Sequence, residues 1–368
     1  EDAGFVEVRA PDEHRLRVAH RLLDQLAEQT LAPELAERHA ALARAVGGAG
    51  TLELELTPAG TPARLVRVES DAEGILVERP LDEVSPPGPG ERLALARGSY
   101  VLVCGEAPGP VVRVPFLLER NEQERVRLAL PPRIPHGMAY VPAGTPLIGG
   151  ADGRFRKLSL EGFFVDLHEV TLAEWREFLA ANGAPAAAIP YVGRTPMLDA
   201  QLEPGWFRDY PLQLEGPVFG VTPAAVEAYC AWRSAGSELS FSLPSEAEWE
   251  YAIRGADGRS YPWGDRFDPA RCNTELAPSK RPDESWWAAV GRFPADRGPF
   301  GLLDGAGNVA EYTSSRYGRG GARDSVVIKG GAFSTKQGEL AAVSFRQAVG
   351  PDSYSPSVGF RVIARPRR

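Results

Sequence analysis

Two carboxylates bracket a tight glycine turn in the stretch Phe300-Gly301-Leu302-Leu303-Asp304-Gly305-Ala306-Gly307-Asn308-Val309-Ala310-Glu311-Tyr312. A turn of this kind brings both carboxylates and the intervening carbonyl groups to face one hard cation, which prefers oxygen ligands. The alternative is a solvated turn in which Asn308 and Glu311 only cap backbone groups. The residues alone leave both interpretations open.

Upstream of this stretch, three segments begin with helix-start chemistry. In each, a hydroxyl caps the free N–H groups of the first turn and apolar residues follow at helical spacing. We predict helices that start after Thr171, Thr222 and Ser245, and a helix stop at Gly255. Glu174 and Glu248 complete capping boxes, and Pro223 occupies a first helical position. The predicted buried faces are Trp175, Phe178 and Leu179, then Val226, Tyr229 and Cys230, then Trp249, Ala252 and Ile253.

The stretch 300–312 is one of eight ordered motifs: Val141–Thr145, His168–Thr171, Pro217–Val221, Leu243–Ala252, Tyr261–Asp265, Phe300–Tyr312, Gly330–Phe333 and Val358–Arg361. Together they resemble the formylglycine-generating (sulfatase-modifying factor) family over about residues 136–365. The resemblance implies a C-type-lectin-like fold with little regular secondary structure and many loops supported by glycine and tryptophan. We therefore predict an α+β protein whose family domain spans residues 136–368.

The sequence before residue 136 has a different character. Residues 1–48 carry a helical stripe that includes Leu16, Leu22 and Leu26, and we predict a helical segment there. From residue 49 the hydrophobic period changes to two, with Pro/Gly turns between the alternating runs, which predicts a small antiparallel β-sandwich at residues 49–132. The proline-rich run Pro131–Pro135 indicates a linker, so the domain boundary is expected near residue 135.

The resemblance also implies a calcium site at the turn quoted first. In the family this segment binds calcium, which makes Asp304 and Glu311 candidate ligands through their side chains and Gly307 and Val309 through their backbone carbonyls. A second calcium site is expected near Asn273, Thr274 and Asp283, where the loop is shorter than the family pattern.

The residues required for the family's oxidase chemistry are missing. That chemistry uses paired cysteine thiolates to hold copper(I), in the stretch between the Gly-Gly and Gly-Phe-Arg motifs. Residues 333–356 contain no cysteine, and Cys104, Cys230 and Cys272 lie far apart along the chain. Other family branches use three histidines for iron, and the five histidines do not cluster in that manner. We therefore predict that the chain is not an enzyme and binds no copper.

The irregular segment at residues 333–357, which lies between the Gly-Gly and Gly-Phe-Arg motifs, is predicted to bind a ligand. It is rich in small residues and contains aromatic ones, a mixture typical of adaptable binding surfaces. The arrangement resembles the variable proteins of diversity-generating retroelements, which implies a hypervariable surface for a protein or other macromolecular ligand. The alternative is ordinary loop residues in an invariant domain. The candidate binding residues are Ser334, Thr335, Ser344, Phe345, Ala348, Val349, Ser353, Tyr354 and Ser355.

Two further functions stay open at this stage. The sandwich followed by this family's domain resembles parts of bacterial serine/threonine kinases, which implies a sensor or regulatory role in a kinase system. The second of these functions is an oxidase with a differently built site, and the missing cysteines argue against it.

The amino-acid composition limits the classes of partner, the location and the source that we expect for this protein. The formal charge of -8 leaves no basic excess to neutralise phosphates, which argues against nucleic acid as a partner. No apolar run is long enough to span a bilayer and the first residues are charged, so we expect no membrane insertion and a cytoplasmic protein. Scarce lysine and 33 prolines are typical of thermophilic proteins and also of GC-rich genomes, and we predict a thermophilic source.

Overall fold

The computed structural model describes residues 48–82, 84–183, 191–192, 195–196, 214–278, 287–318, 324–352 and 354–367. These residues fall into two units. Unit 1 contains residues up to 136 together with 140–162 and 254–266, and unit 2 contains 137–139, 163–253 and 267 onwards. The helical segment predicted at residues 1–48 lies outside the described residues, apart from Gly48.

Alternating apolar and polar residues build a β-sandwich in unit 1. In the first strand Leu52 and Leu54 are buried, while Glu53 and Glu55 bond to arginines on the outer face. Tyr100 and Phe116 stack inside the sandwich with ring centroids 5.4 Å apart. The strands are β1 (Ala49–Thr57), β2 (Ala63–Ser70), β3 (Leu76–Pro80), β4 (Arg92–Ala96), β5 (Gly98–Cys104), β6 (Val112–Leu118) and β7 (Gln123–Ala129).

The sandwich consists of a four-stranded sheet in the order β3-β2-β5-β6 and a three-stranded sheet in the order β4-β1-β7. All of its pairings are antiparallel among the described strands except β1 with β7, which is parallel. The predicted antiparallel sandwich is therefore correct in character, with one parallel pairing that residue alternation does not reveal.

Two segments that the sequence assigns to the family domain pack within unit 1, residues 140–162 and 254–266. The first includes the hairpin of β9 (Leu147–Gly149) and β10 (Phe155–Lys157). The second contacts the sandwich directly, because the Leu76 amide donates to the Trp263 carbonyl at 2.8 Å. A Cβ at Gly264 would lie 2.8 Å from the Gly74 carbonyl oxygen, so this contact requires glycine. The predicted domain boundary near residue 135 stays a prediction.

Unit 2 contains the three predicted helices: α1 (Leu172–Ala181), α2 (Pro223–Ser234) and α3 (Glu246–Arg254). The capping box of Thr171 and Glu174 is present, and Thr222 Oγ1 accepts a hydrogen bond from the Ala225 amide. Ser245 and Glu248 bond reciprocally at the start of α3. All nine predicted inward residues are buried. The three helix predictions are confirmed.

Short strands complete unit 2 around an apolar core. At its centre, Trp175 stacks on Tyr229 at 5.4 Å between ring centroids and meets Phe360 edge-on at 5.7 Å. The remaining strands are β8 (Met138–Val141), β11 (Phe163–Asp166), β12 (Tyr191–Val192), β13 (Thr195–Pro196), β14 (Leu239–Ser242), β15 (Ala310–Arg316), β16 (Val326–Lys329), β17 (Gln347–Val349), β18 (Val358–Gly359) and β19 (Ile363–Pro366). Eight of them form two four-stranded sheets, in the orders β14-β19-β11-β8 and β17-β16-β15-β18.

These elements agree with the predicted fold class, α+β with short elements and much loop. None of the helices in the part of the chain that the structure describes is both long and apolar enough to cross a membrane.

Candidate functional site

The glycine turn at residues 304–311 is a buried, closely packed loop. Asp304 and Asn308 have left-handed backbones, with φ of 56° and 55°. A Cβ at Gly307 would lie 2.4 Å from the Asn273 carbonyl oxygen. Asn308 donates its amide N–H to that same oxygen, and its Oδ1 accepts from the Ala288 amide. Left-handed non-glycine residues persist only where the surrounding structure fixes them, so this turn has a single conformation imposed by its neighbours.

Arg361 binds the carboxylate at the end of this turn. Its Nε and Nη2 donate to the two oxygens of Glu311 at 2.7 and 2.6 Å, a bidentate pair in which each residue is at most 1% exposed. The indole Nε1 of Trp249 donates to Glu311 Oε2 at 2.7 Å. The buried Glu311 carboxylate therefore accepts two hydrogen bonds from the Arg361 guanidinium and one from the neutral Trp249 indole. The positive charge of Arg361 compensates its negative charge.

Three more carboxyl groups lie around this pair. Glu169 accepts at 3.3 Å from the Val309 amide, Asp304 accepts at 2.6 Å from the Gly291 amide, and Asp296 accepts at 2.9 Å from the Ala306 amide. Burial is the main cause that raises the pKa of each. The neighbouring charge of Asp304 raises the pKa of Glu169 and of Asp296 further, well above their ordinary values. Each of these three carboxyl groups therefore has a pKa above its ordinary value.

The predicted calcium ligands occupy this turn. Asp304, Gly307, Val309 and Glu311 are all buried, and the two carboxylates have the partners described above. Among the residues that the structure describes, no group of three His, Cys, Asp or Glu side chains could hold one metal ion. The predicted calcium site has two carboxylates, and its other two ligands are backbone carbonyl groups. The lack of a three-side-chain group does not test such a site, so the site remains a prediction.

The second expected calcium site is only partly described. Asn273 and Thr274 are buried, and Asn273 Nδ2 donates to Asn308 Oδ1 at 3.0 Å. Asp283 lies outside the described residues. This site also stays a prediction.

The three cysteines are buried in separate parts of the chain. Cys104 lies in β5, Cys230 on the inner face of α2, and Cys272 beside the glycine turn. Burial raises the pKa of the Cys104 and Cys230 thiols to about 12, and raises that of Cys272 as well. Neutral, enclosed thiols are poor nucleophiles and poor ligands for a metal ion that arrives from solvent.

The segment 333–357 is fixed at its ends. The Phe333 amide donates to the Asn308 carbonyl, and the Ser355 carbonyl accepts from the Gly220 amide at 3.1 Å. Between them, β17 pairs antiparallel with β16. The segment is therefore a loop whose course is set by the core of unit 2.

The predicted binding residues divide into three groups by exposure. Ser334, Ala348 and Tyr354 are exposed, and Tyr354 keeps 40% of its surface. Half-buried residues are Ser344, Phe345, Val349 and Ser355. Thr335 is buried, and its Oγ1 accepts from the Ala332 amide at 2.9 Å, which is a structural contact. Ser353 lies outside the described residues.

A series of ion pairs that begins at Arg346 of this segment was not predicted from the sequence. Arg346 donates to Glu246 of α3 at 3.0 Å and lies 4.9 Å above the Tyr317 ring. Glu246 also pairs with Lys329, whose buried Nζ lies 2.8 Å from Glu250 Oε1. The available signal was the lysine at the end of the apolar run Val326–Lys329, because a buried cation requires an acidic partner.

Comparison with known proteins identifies one family. The model of the sulfatase-modifying factor enzyme 1-like domain matches residues 129–366. The inactive C-alpha-formylglycine-generating enzyme 2 of Mus musculus is 32% identical, with 61% of this chain and 84% of that protein covered. The formylglycine-generating enzyme of Thermomonospora curvata is 28% identical, with 64% of this chain and 96% of that protein covered.

A third relative matches over a longer stretch. The serine/threonine-protein kinase Pkn1 of Chlamydia trachomatis is 25% identical, with 84% of this chain and 53% of that protein covered. Among solved structures, Treponema denticola variable protein 1 is 20% identical, with 62% of this chain and 95% of that chain covered and a TM-score of 0.46.

Proposed function

The chain belongs to the sulfatase-modifying factor enzyme 1-like family, and within it we propose a non-catalytic protein that binds a protein or other macromolecular ligand. The observation that carries the proposal is the composition and setting of residues 333–357. The segment has no cysteine, its ends are bonded to the core, and Ser334, Ala348 and Tyr354 are exposed between them.

The placement of the thiols supports the proposal that the chain has no oxidase activity. Copper(I) requires soft sulfur ligands in pairs, and here each thiol is buried in a different element with a raised pKa. The mouse relative whose name describes it as inactive supports the same interpretation. Against it stand relatives named as formylglycine-generating enzymes, so activity must be measured.

The test for activity is turnover of a cysteine-containing peptide with copper(I) and oxygen. We expect no aldehyde product above the protein-free control, since no thiol pair is available to bind the metal. Product formation that disappears in Cys272→Ser or Cys230→Ser would overturn the non-catalytic assignment.

The test for binding uses peptides selected from a displayed library against the full chain. We expect affinity to fall by about tenfold or more when Tyr354→Ala is combined with Ala348→Glu, because both residues are exposed on the segment. Val111→Glu is the matched control, since Val111 is equally exposed, at 42%, but lies in the sandwich unit. If the peptides bind the Tyr354→Ala/Ala348→Glu variant as tightly as the Val111→Glu control, the binding surface lies elsewhere.

Hypervariability of this segment is the finer part of the proposal. It requires a near-copy of the coding sequence for residues 330–361 close to the gene, with differences at adenines, and a neighbouring reverse transcriptase. A gene without these neighbours would leave an invariant binding domain and remove the retroelement version.

A regulatory role in a kinase system is the second candidate. The Chlamydia trachomatis kinase matches 84% of this chain, which residues 129–366 alone do not account for, so the similarity also includes sequence from the sandwich side. A kinase domain encoded in frame with this sequence would favour this role over a free-standing binder.

A further inference from the structure

The buried guanidinium of Arg361 donates hydrogen bonds to six oxygen atoms from three parts of unit 2. Besides both oxygens of Glu311, Nη2 donates to the carbonyl oxygens of Leu303 at 2.9 Å and of Asp304 at 3.2 Å. Nη1 donates to the carbonyl oxygens of Asp166 at 3.4 Å and Leu167 at 3.3 Å. One side chain therefore ties the glycine turn to the end of β11.

This set of partners is what a hard cation selects. A bound calcium ion gathers carboxylate and carbonyl oxygens around one positive centre. Arg361 gathers the same two kinds of oxygen, and the carboxylate is Glu311, the side chain predicted to bind calcium. A calcium ion on that carboxylate would have to displace Arg361 and Trp249, or share the buried carboxylate with a second cation.

We propose that the Arg361 guanidinium is the resident cation of the Asp304–Glu311 turn, so that the turn is held by an internal ion pair instead of calcium. Its corollary is a latent metal site. Removal of the guanidinium frees the Glu311 carboxylate and the carbonyls of Leu303 and Asp304 in one buried place, which is a set of ligands that calcium binds. This inference is independent of the ligand-binding function.

The experiment compares thermal unfolding of the full chain before and after addition of about 5 mM calcium, above the dissociation constants of weak protein sites. Each protein is first treated with a chelator, and magnesium serves as the comparison ion. For the wild-type chain we expect no shift in Tm with calcium. For Arg361→Ala we expect a lower starting Tm and a rise of about 2–4 °C with calcium.

Arg365→Ala is the matched control, because Arg365 is a nearby arginine that also pairs with a glutamate, Glu248, but is partly exposed. It should show no calcium response. Adding Glu311→Gln to Arg361→Ala should abolish the response by removing the carboxylate ligand.

Two results would overturn the proposal. A calcium-dependent rise in the wild-type Tm that is lost in Glu311→Gln would make calcium the resident cation. A folded Arg361→Ala chain without a calcium response would remove the latent site. If Arg361→Ala does not fold, Arg361→Lys keeps the charge and loses the planar fork, and it should fold with a lower Tm and stay insensitive to calcium. A calcium response in Arg361→Lys counts against the proposal.

Discussion

The glycine turn at residues 304–311 and the segment 333–357 are neighbours joined by the Phe333 amide, yet they are built in opposite ways. The turn is buried, its backbone is left-handed at two non-glycine residues, and its charge is neutralised by Arg361. The segment is bonded at its ends and along β17, and several of its side chains face solvent. A rigid buried turn and a solvent-exposed loop therefore lie side by side, and the buried turn supplies stability that the exposed loop does not need to supply.

The largest effect expected from this difference is the loss of the buried ion pair. Glu311→Ala leaves Arg361 charged and uncompensated, and we expect the free energy of unfolding to fall by about 3–5 kcal/mol. Urea denaturation measures it. Glu275→Ala, which removes an exposed partner of Lys336, should cost less than about 1 kcal/mol. Equal losses in the two variants would erase the contrast between turn and segment.

Gly307→Ala should have the next largest effect. The new Cβ meets the Asn273 carbonyl oxygen at a left-handed residue with φ of 97°, so we expect a loss of about 2–4 kcal/mol in the free energy of unfolding. Gly318→Ala is the control, since Gly318 is left-handed at φ of 69° but its nearest neighbour lies 3.8 Å away. We expect about 1 kcal/mol there. A smaller loss of unfolding free energy for Gly307→Ala than for Gly318→Ala would mean that the turn can move to accommodate the new Cβ.

The buried carboxyl groups around the turn make its stability depend on pH. The folded-state pKa of Asp296 is raised by burial and by Asp304, so its contribution to stability is full below the unfolded pKa and is lost as pH rises through the folded value. Asp296→Asn cannot ionise and should flatten this decline by roughly 1.4 kcal/mol per unit of pKa shift. Unfolding free energies measured between pH 4 and neutrality decide it. A decline of the same slope in both proteins would assign the pH dependence to other groups.

The smallest effects lie within the segment, between adjacent residues. Thr335→Ala removes the hydroxyl that accepts from the Ala332 amide and should cost about 1 kcal/mol. Ser334→Ala changes an exposed side chain and should stay within about 0.5 kcal/mol. Denaturation midpoints of the two variants provide the measurement, and a reversed order would show that exposure does not separate framework from surface here.

The local features of the fold were predictable from sequence. The three helices begin at Thr171, Thr222 and Ser245 because each cap and its buried face lie within one short window. The sandwich strands follow from alternation of apolar residues, as in Leu52 and Leu54. Only neighbouring residues are needed for these signals.

Long-range pairings were not predictable. Arg361 is separated from Glu311 by fifty positions, and nothing in either motif selects that partner over Glu169 or Asp304. The parallel pairing of β1 with β7 has the same alternation as an antiparallel one. Within residues 333–357, the sequence did not separate buried Thr335 from exposed Ser334. That distinction depends on the Ala332 turn, which forms only in the folded chain.

The contact between Gly264 and Gly74 limits how these two positions change in related chains. A side chain at residue 264 would require the loop at Gly74 to retreat, and the Leu76 amide would then lose its bond to Trp263. Substitutions at 74 and 264 should therefore be inherited as a pair, and a chimera that exchanges the sandwich alone should assemble poorly unless the donor's Tyr-Pro-Trp-Gly turn is transferred with it.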